Sequence, residues 1–250
     1  MKGRPRFYAP DMTADSAVVT LPDDEAAHLL RVLRLGPGDA VQVLDGRGLL
    51  REAQVASASK AAVTLDLGAA IPAAVESRVR VTLAQALLKG DKMDDVVRDA
   101  AMAGAFAIQP IVTAHTEPSI LRAAERRHDR WRTIAIGSAK QSGRAVVPPI
   151  GEPRPLADVL SQTAEARIVF VEPSASSGAA FVSPGRATPA TATLFVGPEG
   201  GWSPEELQAF SAADVTHVTL PGPTWRADAI GLIAIVLADV AFRGREGWGP

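Results

Sequence analysis

The chain has 250 residues, is 47% hydrophobic, and carries a formal net charge of -2 with a pI near 6.1. It can bury one large core or two smaller ones, and it is not a generally basic nucleic-acid coat, although a local basic face is compatible with a nearly neutral molecule. The absence of cysteine excludes disulfides, thiol catalysis and thiolate metal sites.

The opening Met1-Lys-Gly-Arg-Pro-Arg-Phe7 lacks the apolar core of a secretory signal. Residues 229–241 are too short to span a membrane and contain Asp239. A soluble, cytoplasmic protein without a membrane segment is the expectation. No internal repeat is visible.

The first seventy or so residues read as β-rich. Residues 18–21 form a short strand, and Asp23, Asp24 and Glu25 then start a helix whose Leu29, Leu30, Val32 and Leu33 form one buried side. A turn at 36–39 leads to strands at 40–44 and 49–55, joined through Asp45-Gly46, and a strand at 61–67 completes the series. Short strands with glycine turns and one helix suggest a small barrel that binds through its surface and loops. Residues 68–76, with Pro72 among alanines, read as the linker. The expected domains are therefore 1–72 and 73–250.

From Val79 the pattern alternates: strands at 79–84, 107–112, 167–171, 194–196 and 216–220, and helices at 93–104, 122–138, 204–213 and 227–242. Such alternation predicts an α/β domain with a largely parallel sheet, whose ligands sit beyond the carboxyl ends of its strands. The segment 174–193, rich in Ser, Ala, Gly and Pro, reads as a flexible surface excursion.

The most informative stretch is Leu194-Phe-Val-Gly-Pro-Glu-Gly-Gly-Trp-Ser-Pro-Glu-Glu-Leu207. An apolar strand enters a glycine-rich turn that opens onto a helix start with Ser203 as cap, Pro204 in the first turn and acids near the positive dipole end. Spacing alone leaves two readings open, a ligand cradle and an ordinary strand-to-helix connection. The turn lacks the ending of a P-loop and the spacing of a dinucleotide fingerprint.

Among the basic residues, Arg122, Arg126, Arg127, Arg130 and Arg132 lie on one helix, interspersed with Glu125 and Asp129, and suit either an RNA backbone or a solvated face. Lys2, Arg4 and Arg6 stand beside Phe7 and Tyr8, combining charge with stacking surface. The histidines at 28, 115, 128 and 217 show no ligand spacing, so packing or surface roles and no metal site are expected. Asp91, Asp94, Asp95 and Asp99 read as a solvated helical face, and Ser142 and Ser203 lack a triad pattern.

Several separated segments, in order along nearly the whole chain, resemble the RsmE ribosomal RNA methyltransferases of the SPOUT, or α/β-knot, superfamily. They are Arg6-Phe-Tyr8, His28-Leu-Leu-Arg-Val-Leu-Arg-Leu-Gly-Pro-Gly-Asp39, Ala84-Gln-Ala-Leu-Leu-Lys-Gly-Asp-Lys-Met93, Ile108-Gln-Pro110, Arg130-Trp131, Gln141-Ser-Gly-Arg144 and Val196-Gly-Pro-Glu-Gly-Gly-Trp-Ser-Pro-Glu205.

The resemblance implies a PUA-like N-terminal β-barrel that helps hold RNA, a C-terminal SPOUT domain with a deep trefoil knot, and a homodimer. It also implies methylation of N3 of one uridine in 16S ribosomal RNA of the small subunit, with S-adenosylmethionine as donor. Carried over by position, the donor lies against Val171, Glu172, Gly197, Pro198, Glu199, Gly200, Gly201, Leu220, Pro221, Trp225, Arg226, Ala227 and Ala229. The RNA positions are Arg4, Arg6, Tyr8, Arg31, Arg34, Lys89, Gln141 and Arg144.

Uridine N3 must lose a proton, so a cation such as Arg226 is expected to stabilise the developing anion, with Asp228 or an ordered water accepting the proton. An Arg226 that pairs with Asp228 or Glu199 to brace the loop is the competing reading.

Three departures stand out. Asp99-Ala-Ala-Met-Ala-Gly104 replaces a Lys-x-Thr-Glu-Leu-Gly type segment. Trp225-Arg-Ala-Asp-Ala-Ile230 loses two threonine hydroxyls at Ala227 and Ala229. Lys140 stands where the family often has Glu. They keep open a knotted enzyme acting on another RNA position, and a noncatalytic ribosome-binding assembly protein.

Overall fold

The computed structural model describes residues 4–172, 188–220, 222 and 224–243. They divide into two compact units, one of residues up to 76 together with 136–147, the other of 77–135 with the remainder. The first unit thus takes in residues 73–76 and 136–147 beyond the expected border at 72.

In the first unit, β1 (Arg6–Tyr8), β2 (Val18–Thr20), β3 (Ala40–Leu44), β4 (Leu50–Ala58) and β5 (Val63–Ala70) make one mixed sheet in the order β1-β3-β4-β5-β2. Only the β1–β3 pair is parallel, and register shifts between Arg51/Ala53 and Val55/Ser57 bend β4 on β5. Alternation puts Val41, Val43, Ala53, Val55, Val63 and Leu65 into a core with Phe7, Met12 and Leu29.

The helix α1 (Asp23–Ala27) opens at once into a wide π turn, His28–Leu33, which ends with Arg34 in the left-handed region at φ 55°. This corrects the expected buried side. Leu29 is fully buried, but Val32 and Leu33 are 65% and 37% exposed, because the wider turn breaks the 3.6-residue phase on which the expectation rested.

The departure at Lys140 finds its reason in the same unit. Its ammonium pairs with Glu25, a carboxylate only 4% exposed that also accepts the Tyr8 N–H at 3.0 Å. A buried carboxylate without that cation would be costly.

In the second unit, β6 (Arg80–Ala86), β7 (Ala107–Val112), β8 (Arg154–Pro155), β9 (Ala166–Val171), β10 (Thr191–Val196) and β11 (Thr216–Thr219) form a wholly parallel sheet, ordered β11-β9-β10-β6-β7-β8. The helices are α2 (Lys92–Met102), α3 (Pro118–Ser142, whose residues from 136 on belong to the first unit), α4 (Leu156–Leu160), α5 (Pro204–Ala212) and α6 (Ala227–Arg243).

The chain builds outward from β6 through β7 to β8, then returns to the other side with β9 and β10. The order therefore reverses between β6 and β10, and a crevice at their carboxyl ends follows from that reversal. β8 and α4 were not expected from the sequence. Their hydrophobic stretch, Leu156 to Leu160, is too short to display a period. Among the described residues no helix is long and apolar enough to cross a membrane.

Candidate active site

At the carboxyl ends of β9, β10 and β11 lies a cavity of about 380 Å³. One wall is the turn at 197–201, which leaves β10 and enters α5. The other is the segment 220–230, which leaves β11 and enters α6. Phe170, Val171 and Glu172 at the end of β9 close the floor.

The turn is heavily tethered. Ser203 Oγ accepts the Glu206 N–H at 3.2 Å while the Glu206 carboxylate accepts the Ser203 N–H at 2.9 Å, so both ends of the capping box are made. Gly201 N–H donates to Pro198 O at 3.0 Å, and Trp202 Nε1 donates to Phe170 O at 2.9 Å. His115 Nδ1 lies 3.0 Å from the Gly201 carbonyl and serves there as donor, which fixes its tautomer.

Gly201, at φ +70°, holds a backbone conformation that favours glycine, and a Cβ on Gly197 would stand 3.1 Å from the Trp202 ring, a tight contact. Behind the turn, Phe210 packs edge-on against Trp202 and Phe195, with centroids 4.8 and 5.1 Å away.

Glu199 points to the cavity rim, where its carboxylate accepts Lys92 Nζ at 2.7 Å and the Lys89 N–H at 3.3 Å. Burial pushes the Glu199 carboxyl upward, but the hydrogen bonds from Lys92 and from main-chain N–H groups outweigh it and hold it below the ordinary glutamate range. Across the cavity, Arg226 grips Asp228 with two bonds, Nε to Oδ1 at 3.0 Å and a terminal nitrogen to Oδ2 at 2.6 Å. The Arg226 side chain is 73% exposed and that of Asp228 only 13%. The arginine's hydrogen bond lowers the Asp228 carboxyl and raises the guanidinium.

Of the positions expected for the methyl donor, Val171, Glu172, Gly197, Pro198, Glu199, Gly200, Gly201, Leu220, Trp225, Arg226 and Ala227 all line this cavity. Ala229 does not; it lies in the first turn of α6, its N–H bonded to Arg226 O. Pro221 lies outside the described residues. Lys92, Phe170, Trp202, Thr224 and Ile230 also line the cavity and were missed, as was His115, which braces the turn. Lys92 and Trp202 stand inside the motifs quoted above, so a signal for them was present. His115 carried none.

The RNA positions are not brought together in the same way. Arg31 and Arg34 are exposed and form no ion pair among the described residues, and Gln141 is exposed. Arg4 pairs with Glu52. Arg6 donates to Gln42 Oε1 at 3.1 Å and to Lys140 O at 3.0 Å, and Tyr8 is half-buried. Lys89 pairs with Glu117 at 2.6 Å. Arg144 is 4% exposed, and its guanidinium pairs with Glu76 at 2.6 Å.

On α3 the arginines divide. Arg127 pairs with Asp91 and Arg130 with Asp94, whose other oxygen accepts the buried Trp131 indole N–H. Arg122, Arg126 and Arg132 are exposed without an ion pair among the described residues.

Comparison with known proteins gives a consistent family. The profile described as an RNA methyltransferase domain matches residues 75–238, and one described as an RNA methyltransferase PUA domain matches 21–67. Ribosomal RNA small subunit methyltransferase E of Synechocystis is 30% identical over 223 residues, covering 88% of this chain and 72% of the relative. That of Mycobacterium bovis is 29% identical over 225 residues, covering 87% and 84%. Among solved structures, ribosomal RNA small subunit methyltransferase E from Neisseria gonorrhoeae, bound to S-adenosyl methionine, aligns with a TM-score of 0.84 at 28% identity over 95% of this chain and 98% of that one. A probable rRNA-methyltransferase from Porphyromonas gingivalis aligns at 0.76 and 28% identity over 96% and 98%. The N-terminal sheet is accordingly a PUA-type unit and the parallel sheet an RNA methyltransferase domain, and the chain belongs to the ribosomal RNA small subunit methyltransferase E family.

Proposed function

We propose that this protein transfers a methyl group from S-adenosylmethionine to N3 of one uridine in 16S ribosomal RNA of the small subunit. One observation carries the reading: at the carboxyl ends of β9, β10 and β11, beside the point where the sheet order reverses, a glycine turn with fixed geometry and an arginine-bearing loop face each other across one cavity.

The lining suits the donor. Its volume falls in the range of small-molecule sites, roughly 300–1,000 Å³. Val171, Leu220 and Ile230 offer apolar surface, Gly200 and Gly201 leave the main chain open to approach, and the carboxylates of Glu172 and Glu199 suit a ligand carrying positive charge. When bound, S-adenosylmethionine supplies an electrophilic methyl group on a sulfonium.

The chain's own residues supply the rest. Arg226, with most of its surface free, stabilises negative charge developing on the pyrimidine. Asp228 orients that guanidinium. Asp228 itself or an ordered water beside it accepts the N3 proton.

In the first unit, RNA engages Arg4, Arg6, Tyr8, Arg31, Arg34, Gln141 and Arg144, and in the second unit Lys89. The domains are a PUA-like RNA-binding unit, from residue 1 to about the border at 72, and a methyltransferase domain from 73 that carries a deep trefoil knot. The protein works as a cytoplasmic homodimer. A half-open apolar stripe on α6, Ile233, Val236, Leu237 and Val240, supports the pairing, since Val236 and Val240 are 47% and 42% exposed. Calorimetric titration with S-adenosylmethionine tests the donor site: saturable binding that Gly197→Leu abolishes is expected, and wild-type protein that takes up no donor would refute the reading.

A further inference from the structure

A second cavity, about 280 Å³, opens in the methyltransferase unit between the segment following β6 and the first turns of α3. Its floor is apolar, made by Leu87, Leu88, Met93 and Trp131, each no more than 2% exposed. Its rim is polar, with Lys89, Glu117, Ser119 and Arg127. Apolar walls with a few convergent polar groups are the usual makeup of a small-ligand site, and this volume sits just under the common span of roughly 300–1,000 Å³. The volume admits one small group of a ligand whose remainder stays outside.

Two features point to RNA as its source. Arg122 and Arg126 stand on α3 within one helical turn of the rim residues Ser119 and Ala123, exposed and without an ion pair among the described residues. They offer phosphate contacts beside the opening. The recess is also coupled to the donor cavity: the Lys89 N–H donates to Glu199, and Lys92, three residues on, lines that cavity. The Lys89–Glu117 ion pair that crosses the rim has side chains 61% and 57% exposed. Such a pair holds little energy and opens at small cost.

We infer that this recess receives an unstacked pyrimidine nucleotide of the RNA substrate, its base against the half-buried Ile120 and Ala123 and its phosphate toward Arg122 and Arg126. Enzymes that modify a base must take it out of its stack, and a receiving pocket next to the reacting centre lowers that cost. The inference deepens the proposed methyl transfer and rests on it.

Methionine methyl NMR tests it, because Met93 lines the recess while Met12 and Met102 lie outside it. With S-adenosylmethionine at saturation, uridine 5′-monophosphate is expected to shift the Met93 methyl signal saturably and leave Met12 and Met102 in place. Ser119→Trp, at an exposed rim position, is expected to remove that response and to raise KM for small-subunit RNA by about tenfold or more. Donor affinity stays unchanged. Uridylate that leaves Met93 unmoved up to its solubility limit, or Ser119→Trp enzyme with wild-type KM, would overturn the recess. Failure of the methyl-transfer reading is distinguishable, since it appears as absent donor binding in the wild-type protein.

Discussion

The two walls of the donor cavity are built on different physical terms. The turn at 197–201 is held by a complete capping box, a tryptophan hydrogen bond to β9, a histidine on its carbonyl and an aromatic cluster behind it. The facing segment at 220–226 has one side-chain anchor among the described residues, the Arg226–Asp228 pair within its own chain. A preformed wall suits recognition of a ligand that is always the same, and an exposed guanidinium held by one carboxylate suits an arginine that must meet an incoming base.

The largest expected effect comes from breaking the firm wall. Phe210→Ala empties a fully buried ring site against Trp202 and Phe195 and should cost about 3–5 kcal/mol in chemical denaturation, as large aromatic deletions do. Donor affinity should fall with it.

On the facing wall the cost shifts from stability to rate. Arg226→Ala should lower kcat by roughly 10²–10³-fold, the range found when one charge-stabilising donor is removed. Its unfolding free energy should stay within about 0.5 kcal/mol of wild type, because the side chain is exposed. Normal turnover would reassign Arg226 to loop bracing.

A smaller effect sharpens the contrast from the other side. Gly201→Ala forces a Cβ into a left-handed backbone at φ +70°, a strain of about 1–2 kcal/mol that denaturation should register. Ala in place of Gly222, at φ +102° with nothing within 4 Å of the added Cβ, tests whether the facing wall bears the same strain.

The smallest effect is electrostatic. Asp228 is lowered chiefly by the Arg226 hydrogen bond, so its contribution is complete above the unfolded aspartate value, about 3.9, and is lost as pH falls through the folded one. The stability difference between wild type and Arg226→Ala should therefore close on acidification, as followed by thermal melts.

What the sequence made legible follows from range. The strand–glycine–helix stretch is local: Ser203, Pro204 and Glu206 announce the helix start within four residues, and the structure builds the predicted cap. The alternation of strands and helices past Val79 likewise gives the parallel sheet. Features that depend on distant partners left no periodic trace. The three-residue β1 acquires strand character only through β3, thirty-odd residues on. Lys140 gains its meaning from Glu25, 115 positions away, and His115 reaches Gly201 across 86. Arg144 reads in sequence as a free cation because Glu76, its partner, lies 68 positions earlier. The π turn at His28–Leu33 failed for a different reason, since a 3.6-residue period was assumed where the helix widens.

The central claim is methyl transfer to uridine N3, and nucleoside mass spectrometry of small-subunit RNA after incubation with the protein and labelled S-adenosylmethionine tests it most directly. The account predicts label in 3-methyluridine, lost with Arg226→Ala. Label in another nucleoside or on a ribose oxygen, or no label from protein that binds the donor, would contradict it.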